Sequence, residues 1–106
     1  MTNPAKLLLL VIGEAHMHGE IPLFEYIVRR LRQLELTGAT AIRAELGFGH
    51  RDSTHRGEPL EFPSDHPMVV FAVDTAEKVE RVVPEMRELL VDGIVTVLDA
   101  EQVMRG

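Results

Sequence analysis

The chain has 106 residues, of which 45% are hydrophobic and 26% are charged, a composition typical of a soluble globular protein and not of a disordered one. This length suits one domain and is too short for two independent cores, so we expect a single domain over residues 1–106. The net charge of −6 gives no general attraction for nucleic acid or an anionic membrane. The lack of cysteine excludes disulfides, thiolate metal sites and a cysteine nucleophile.

The first predicted element is a strand over Leu7–Ile12, which is apolar at every position and therefore expected to be buried on both faces. Because Lys6 precedes it, this run resembles the start of a signal peptide. It is short for such a segment, and Gly13 follows it without a cleavage pattern. No stretch is long enough to span a bilayer, so we expect a cytoplasmic protein without direct membrane insertion.

A helix is predicted next, with Pro22 in its first turn and Gly38 as its stop. Its apolar stripe consists of Leu23, Ile27, Leu31 and Leu34. Residues 39–45 then predict a strand that is partly polar. From 47 to 66 no periodic pattern persists, and unpatterned stretches of this length in a small domain are often functional.

The second half of the chain repeats the order strand, helix, strand. Met68–Val73 is again apolar throughout. Asp74 with Glu77 is typical of a capping box that begins a helix, and Pro84 is expected to kink that helix. The last strand is predicted at Ile94–Leu98.

Two such units predict an α+β protein, the ferredoxin-like βαβ-βαβ sandwich, with an antiparallel four-stranded sheet and two helices on one face. The first and third strands lie in the middle of that sheet, and here they are the two strands without polar positions. Because the helices cover only one face, the apolar residues of the other face need a different cover. We predict a second copy of the chain there, in an obligate homo-oligomer.

Glu14, His16 and His18 alternate, so in an extended segment their side chains would share one side. Two histidines and a carboxylate are a known set of metal ligands, and the sequence therefore offers a metal site here. The competing interpretation is a polar turn between Gly13 and Gly19 with exposed imidazoles.

Asp52, Ser53 and His55 have the residue types of a hydrolase triad. They crowd into one stretch of the unpatterned segment, which does not provide the rigid placement that a triad needs. We therefore expect no catalytic residues and no enzyme.

Gly47, Phe48 and Gly49 follow the second predicted strand, where glycines allow a ligand to approach the backbone. Backbone N–H groups in such a turn can bind an anion, and Arg51 and Arg56 are near enough in sequence to add positive charge. The competing interpretation is an ordinary hairpin tip with solvated arginines.

Several short motifs spread over nearly the whole chain occur together: Ile12–Glu14, His18–Gly19, Pro22–Leu23, Gly38–Thr40, Gly47–Gly49 and Arg56–Gly57. The last three resemble the framework around the T-loop of PII signal-transduction proteins. The whole set is more similar to an uncharacterised conserved family of PII-like proteins.

The resemblance implies a PII-like signalling module that forms a homotrimer and binds an adenine nucleotide in clefts between subunits. A T-loop-like segment at 47–66 would then control a partner, such as a transporter or an enzyme. The implied ligand-binding residues are Gly38, Thr40, Gly47, Phe48, Gly49, Arg51 and Arg56.

Two departures from the PII pattern change what the resemblance implies. PII proteins have a glycine- and lysine-rich phosphate-binding loop after the second helix, where this chain has Val91–Gly93 without lysine, so we expect AMP, ADP or a small anion in place of ATP. The tyrosine that PII proteins carry in the T-loop for uridylylation is replaced by His55 or absent, so we do not expect control by uridylylation. The alternative function is a metal-binding or divalent-cation-tolerance protein that uses His16, His18 and Glu14, because such a family shares this trimeric fold.

Overall fold

The computed structural model describes residues 1–49 and 65–104. In chain order the elements are β1 (Thr2–Gly13), β2 (Met17–His18), β3 (Ile21–Pro22), α1 (Leu23–Gln33), β4 (Thr40–Arg43), β5 (Pro67–Asp74), α2 (Ala76–Leu89) and β6 (Ile94–Val103). The four longer strands form one antiparallel sheet in the order β4-β5-β1-β6, and β2 pairs with β3 in a short hairpin. No helix in the described ranges is long and apolar enough to cross a membrane.

The strand order confirms the predicted ferredoxin-like arrangement. The two predicted runs without polar residues, Leu7–Ile12 and Met68–Val73, lie in the central strands β1 and β5. These strands pair over eight residues, from Lys6–Asp74 to Gly13–Pro67. The central strands therefore carry the most apolar sequence because they have a neighbour on each edge and packing on at least one face.

The core lies between the sheet and the two helices. Alternate side chains of β1 and β5 point towards the helices and meet the apolar stripes of α1 and α2. The largest fully buried side chains are Leu8, Leu10, Ile12, Leu23, Ile27, Leu31, Met86, Val70, Val79 and Val82.

The opposite face of the sheet is apolar and carries no helix among the described elements. The strand register aligns its residues in rows, one of which runs Ile42–Val69–Val11–Ile94. Its apolar members are Leu7, Leu9, Val11, Ile42, Val69, Phe71, Val73, Ile94 and Leu98, all half-buried or exposed. We call these residues the open face. The predicted apolar second face is thus present, and its cover by another copy stays a prediction.

β1 and β6 are both longer than predicted. Residues 2–5 of β1, which precede Lys6, pair only with residues 100–103 of β6. These residues form a two-stranded ribbon that extends past the end of β5. Most of these residues are exposed, so the apolar pattern that marks the strands in the sequence does not extend into the ribbon.

The prediction that α1 stops at Gly38 was wrong. The helix ends at Gln33, and the chain then reverses through Glu35 at φ 68°, a left-handed conformation that usually belongs to glycine. The Glu35 N–H donates to the Arg32 carbonyl (3.0 Å) and the Leu36 N–H to the Leu31 carbonyl (3.1 Å). This Schellman turn is held by the buried Leu36 side chain instead of by glycine.

The predicted capping box of Asp74 with Glu77 was wrong, because α2 begins one residue later. Thr75 is the N-cap of α2, and its hydroxyl accepts a hydrogen bond from the Lys78 N–H (3.3 Å). Asp74 ends β5 and turns its carboxylate to two other amides, described below. α2 continues through Pro84, whose side chain is exposed, to Leu89.

Candidate ligand site at one end of the sheet

Both ends of the 50–64 segment are fastened to the same end of the sheet, where β1 finishes and β5 begins. The Ala44 N–H donates to the Pro67 carbonyl (2.8 Å), and the Glu14 N–H donates to the His66 carbonyl (2.8 Å). Nδ1 of His66 lies 3.1 Å from the Ala44 carbonyl oxygen. The entry and exit of the segment are therefore neighbours, linked through one histidine.

Asp65 fixes the exit of the segment to the turn after β1. Its side chain is buried, and its Oδ1 accepts a hydrogen bond from the Ala15 N–H (2.7 Å). A Cβ at position 13 would lie 2.5 Å from Oδ2 of Asp65, closer than atoms can approach. Gly13 is therefore required because the carboxylate occupies the space of a side chain.

The Gly47–Gly49 motif leads into the segment and presents an aromatic ring to solvent. Phe48 is 87% exposed in the chain. Gly49 has φ +93°, which side chains rarely adopt, while Gly47 packs so close to Pro67 that a Cβ would lie 3.1 Å from its Cγ. Gly47 is required by its close approach to Pro67 and Gly49 by its backbone conformation. Between them, the ring of Phe48 is exposed at the start of the 50–64 segment.

An ion pair that the sequence did not predict lies beside this motif. Nε of Arg43, at the end of β4, donates to Oε2 of Glu14 (2.7 Å), and Nη2 contacts the same oxygen. The two residues are 29 positions apart, so no local spacing could reveal the pair. It places the fixed positive charge of an arginine four residues before Gly47.

Gly38 and Thr40 lie at the opposite end of β4 from the Gly47–Gly49 motif. Thr40 pairs with Phe71 at one end of the strand and Arg43 with Met68 at the other, about 10 Å away at a strand's rise per residue. Within one chain, the structure does not bring the two groups of predicted ligand residues together.

The Gly38 end is held by Asp74, a buried carboxylate. Its Oδ2 accepts from the Thr37 N–H (2.8 Å) and its Oδ1 from the Thr75 N–H (2.8 Å). Burial acts to raise the pKa of Asp74, but the hydrogen bonds from Thr37 and Thr75, with the charge of Lys78, outweigh it and leave the pKa below its usual value. Asp74 is therefore an ionised carboxylate whose hydrogen bonds fix the position of the residues before Thr40.

The predicted metal ligands have other contacts. Glu14 pairs with Arg43, and the His18 ring stacks on Tyr26 with centroids 3.9 Å apart. The His16 carbonyl accepts from the Leu23 N–H (2.8 Å), at the start of α1. Within residues 1–49 and 65–104, no three His, Cys, Asp or Glu side chains are grouped so as to hold a metal ion.

Other predicted site residues lie outside the described residues. These are Arg51 and Arg56 of the implied ligand site, with Asp52, Ser53 and His55, which have the residue types of a hydrolase triad. Their roles stay predictions. Val91 and Asp92, where the resemblance expects a phosphate-binding loop, are exposed in the turn that leads into β6.

Comparison with known proteins places the whole fold among PII-like proteins. CPII of Thiomonas intermedia K12, in a structure bound to ADP, AMP and acetate, has a TM-score of 0.69 at 20% identity over 99% of this chain and 93% of its own. The same protein bound to ADP, AMP and bicarbonate gives a TM-score of 0.66 at 19% identity, over 95% and 90% of the two chains.

Sequence comparison gives the family. A UPF0166 protein of Aquifex aeolicus (strain VF5) is 29% identical over 96 residues, which are 91% of this chain and 90% of that protein. The model of the DUF190 family, described as an uncharacterized ACR, matches residues 5–102. This match covers all the elements from β1 to β6 except their outermost residues, and the chain therefore belongs to the DUF190 family of PII-like fold.

Proposed function

We propose that this chain is a PII-like regulatory subunit, and not an enzyme, that binds an adenine nucleotide or a small anion beside the Gly47–Gly49 motif. The observation that carries the proposal is Phe48, an aromatic ring 87% exposed between two glycines at the entrance to the 50–64 segment. Aromatic rings are good stacking partners for a base, and the flanking backbone amides are free of Cβ atoms that would block a phosphate. The ADP and AMP bound to CPII support this ligand class.

We propose further that the ligand acts through the 47–66 segment. The exit of the segment is hydrogen-bonded to the turn after β1, and the entry at Ala44 is hydrogen-bonded to Pro67 and His66 of the exit. A ligand that contacts Phe48 would therefore lie at the anchored base of the segment. Such a ligand would shift the population of segment conformations that a partner binds. The partner expected for a protein of this kind is a transporter or an enzyme in the same compartment, which we propose is the cytoplasm.

A homotrimer is the proposed assembly. The open face supports it, because apolar side chains such as Ile42, Ile94 and Leu98 are between 42% and 51% exposed in the isolated chain. A contiguous apolar surface of this kind is typical of an interface between copies and not of a free surface.

The ligand proposal is tested by thermal shift and calorimetry with AMP, ADP, ATP, inorganic phosphate and bicarbonate. A ligand at a hundred times its Kd should stabilise the protein by about 2.7 kcal/mol. Phe48→Ala should lose most of the nucleotide-induced shift. Val103→Ala is the matched control, because Val103 is 79% exposed at the far end of the ribbon. Equal shifts in both variants would contradict the role of Phe48.

The assembly is tested by light scattering of the wild type and of two charge variants on β6. Leu98 lies on the open face, in register with Leu7, whereas Val103 lies beyond the helices on the other side of the strand. The wild-type particle should have three times the monomer mass. Leu98→Asp should dissociate this particle, and Val103→Asp should leave it intact. A monomeric wild type would contradict the trimer directly.

A further inference from the structure

Within the described part of the chain, two arginine–glutamate pairs join separate elements with different geometry. Arg30 contacts both oxygens of Glu85, with Nε–Oε2 at 2.6 Å and Nη2–Oε1 at 3.0 Å. Arg43 instead directs both Nε and Nη2 at a single oxygen of Glu14. An arginine guanidinium can donate two parallel hydrogen bonds to the two oxygens of one carboxylate, and Glu14 offers Arg43 only one of its oxygens.

The two pairs also differ in their access to solvent. The side chain of Arg43 is 61% exposed, whereas that of Arg30 is 31% exposed between the two helices. The side chain of Glu14 is 23% exposed and that of Glu85 33%, so the difference in access lies with the arginines. An exposed arginine gains little from an ion pair because water solvates its charge well when the pair separates. The Arg43 guanidinium can therefore change its partner at low cost, and that of Arg30 cannot change without opening the contact between α1 and α2.

Arg43 lies where a change of partner would matter. Arg43 is the last residue of β4. The next residue, Ala44, is hydrogen-bonded to Pro67 and His66 at the base of the 50–64 segment. The present partner of Arg43, Glu14, is bonded through its backbone to the same His66. An anion that reached Arg43 would thus lie between the entry of the segment and its exit.

We propose that Arg43 is a ligand-binding residue of this site and that Glu14 is its internal competitor. A small carboxylate-type oxyanion would displace the Glu14 carboxylate and give the guanidinium a second parallel hydrogen bond. The inference rests on the proposed function, because it assigns the group that binds the anion at that same site. No covalent bond changes, and the displaced Glu14 carboxylate turns to water.

Among the described residues, the charge around Arg43 favours a ligand with one negative charge. Besides Glu14, the carboxylates of Asp65 and Glu45 belong to this end of the sheet, and Asp65 is held by the Ala15 N–H. Each additional negative charge on a ligand would add repulsion from these groups. A carboxylate or bicarbonate is therefore favoured over a doubly charged phosphate.

Calorimetry on the full chain tests this with sodium acetate, sodium bicarbonate and inorganic phosphate, at an ionic strength fixed with chloride. Glu14→Gln should bind acetate on the order of tenfold more tightly, and Arg43→Lys, which lacks the fork, on the order of tenfold more weakly. Glu85→Gln is the matched control, because it removes the same charge from the pair of Arg30 and Glu85. The acetate affinity of this variant should equal that of the wild type.

The outcomes separate this inference from the proposed function. If AMP or acetate binds the wild type but Glu14→Gln and Arg43→Lys bind acetate with unchanged affinity, the inference fails and the proposed function stands. If neither the wild type nor Glu14→Gln binds any of the anions or AMP, both fail. Tighter binding of phosphate than of acetate would overturn the proposed ligand class. If Arg43→Lys does not fold, the ¹⁵N shift of the Arg43 Nε decides, since acetate should move it and leave that of Arg30 unchanged.

Discussion

Asp74 should be the most important buried charge for the stability of this fold. Its carboxylate accepts the Thr37 N–H and the Thr75 N–H, both at 2.8 Å, and thereby ties the end of α1 to the start of α2. Asp74→Asn keeps the shape of the side chain but replaces one acceptor oxygen with an NH₂ group. That group would face one of the two backbone N–H donors, and the remaining bond would lose its charge.

The expected loss follows from these two bonds. A hydrogen bond to a charged group contributes about 1.5 to 3 kcal/mol, and the part-buried position of this pair places it near the lower limit. With one bond removed and the other weakened, Asp74→Asn should lower the free energy of unfolding by about 2 kcal/mol. For a domain of this size, that corresponds to about 10 °C in the melting temperature.

The loss should depend on pH in a defined direction. Because the pKa of Asp74 is lowered by folding from its ordinary value of 3.8, the ionised carboxylate stabilises the fold above that pH. The contribution disappears as the pH falls through the lower pKa of the folded state. The difference between wild type and Asp74→Asn should therefore be constant from neutral pH to pH 5 and shrink below about pH 4.

Urea unfolding at a fixed protein concentration, followed from pH 7 to pH 3, measures this difference. Asp99→Asn is the control. Asp99 also accepts a hydrogen bond, in its case from the Lys6 ammonium, but its side chain is 92% exposed. The unfolding midpoint of Asp99→Asn should hardly move. Equal midpoints for Asp74→Asn and wild type at pH 7, or a difference that persists unchanged at pH 3, would refute the reasoning.

Two further changes test the helices. Glu35→Gly should stabilise the protein by about 1 kcal/mol, measured as a higher urea midpoint, because glycine adopts the left-handed φ of 68° without the Cβ clash. Glu85→Gln should lower the midpoint at pH 7 by less than Asp74→Asn does. Since the hydrogen bond from Arg30 lowers the pKa of Glu85 from its ordinary value of 4.5, the effect should begin to shrink below that pH and be lost as the pH falls through the lower pKa of the folded state. An effect that stays constant down to pH 3 would contradict this origin.

The sheet could be predicted because its central strands are recognisable from composition alone. Leu7–Ile12 of β1 and Met68–Val73 of β5 are apolar at every position, which is typical of strands that have a neighbour on each edge. The ends of the elements could not be predicted as well. Glu35 reverses the chain where glycine is usual, since burial of Leu36 offsets the strain, and such an offset depends on the tertiary structure.

The candidate site could be described from the sequence only in its local part. Gly47, Phe48 and Gly49 are consecutive, so their pattern is visible in the sequence. The pair of Arg43 and Glu14 joins the ends of two strands that are not adjacent in the sheet, and only the fold brings them together. Pairs of this kind depend on strand register, which a single sequence does not reveal.

The separation of the predicted ligand residues leads to a last prediction. Gly38 precedes β4 and the Gly47–Gly49 motif follows it, at opposite ends of an edge strand, so one compact ligand cannot readily contact both within one chain. In a trimer, a cleft could take the motif from one copy and Gly38 from its neighbour. Gly38→Glu, where a side chain meets no atom within 4 Å, and Phe48→Ala should then each abolish nucleotide binding. Co-refolding the two variants in equal amounts should restore about one cleft in four, because only clefts with both intact halves bind. If both halves belonged to the same chain, no cleft would recover, and calorimetric stoichiometry distinguishes the two arrangements.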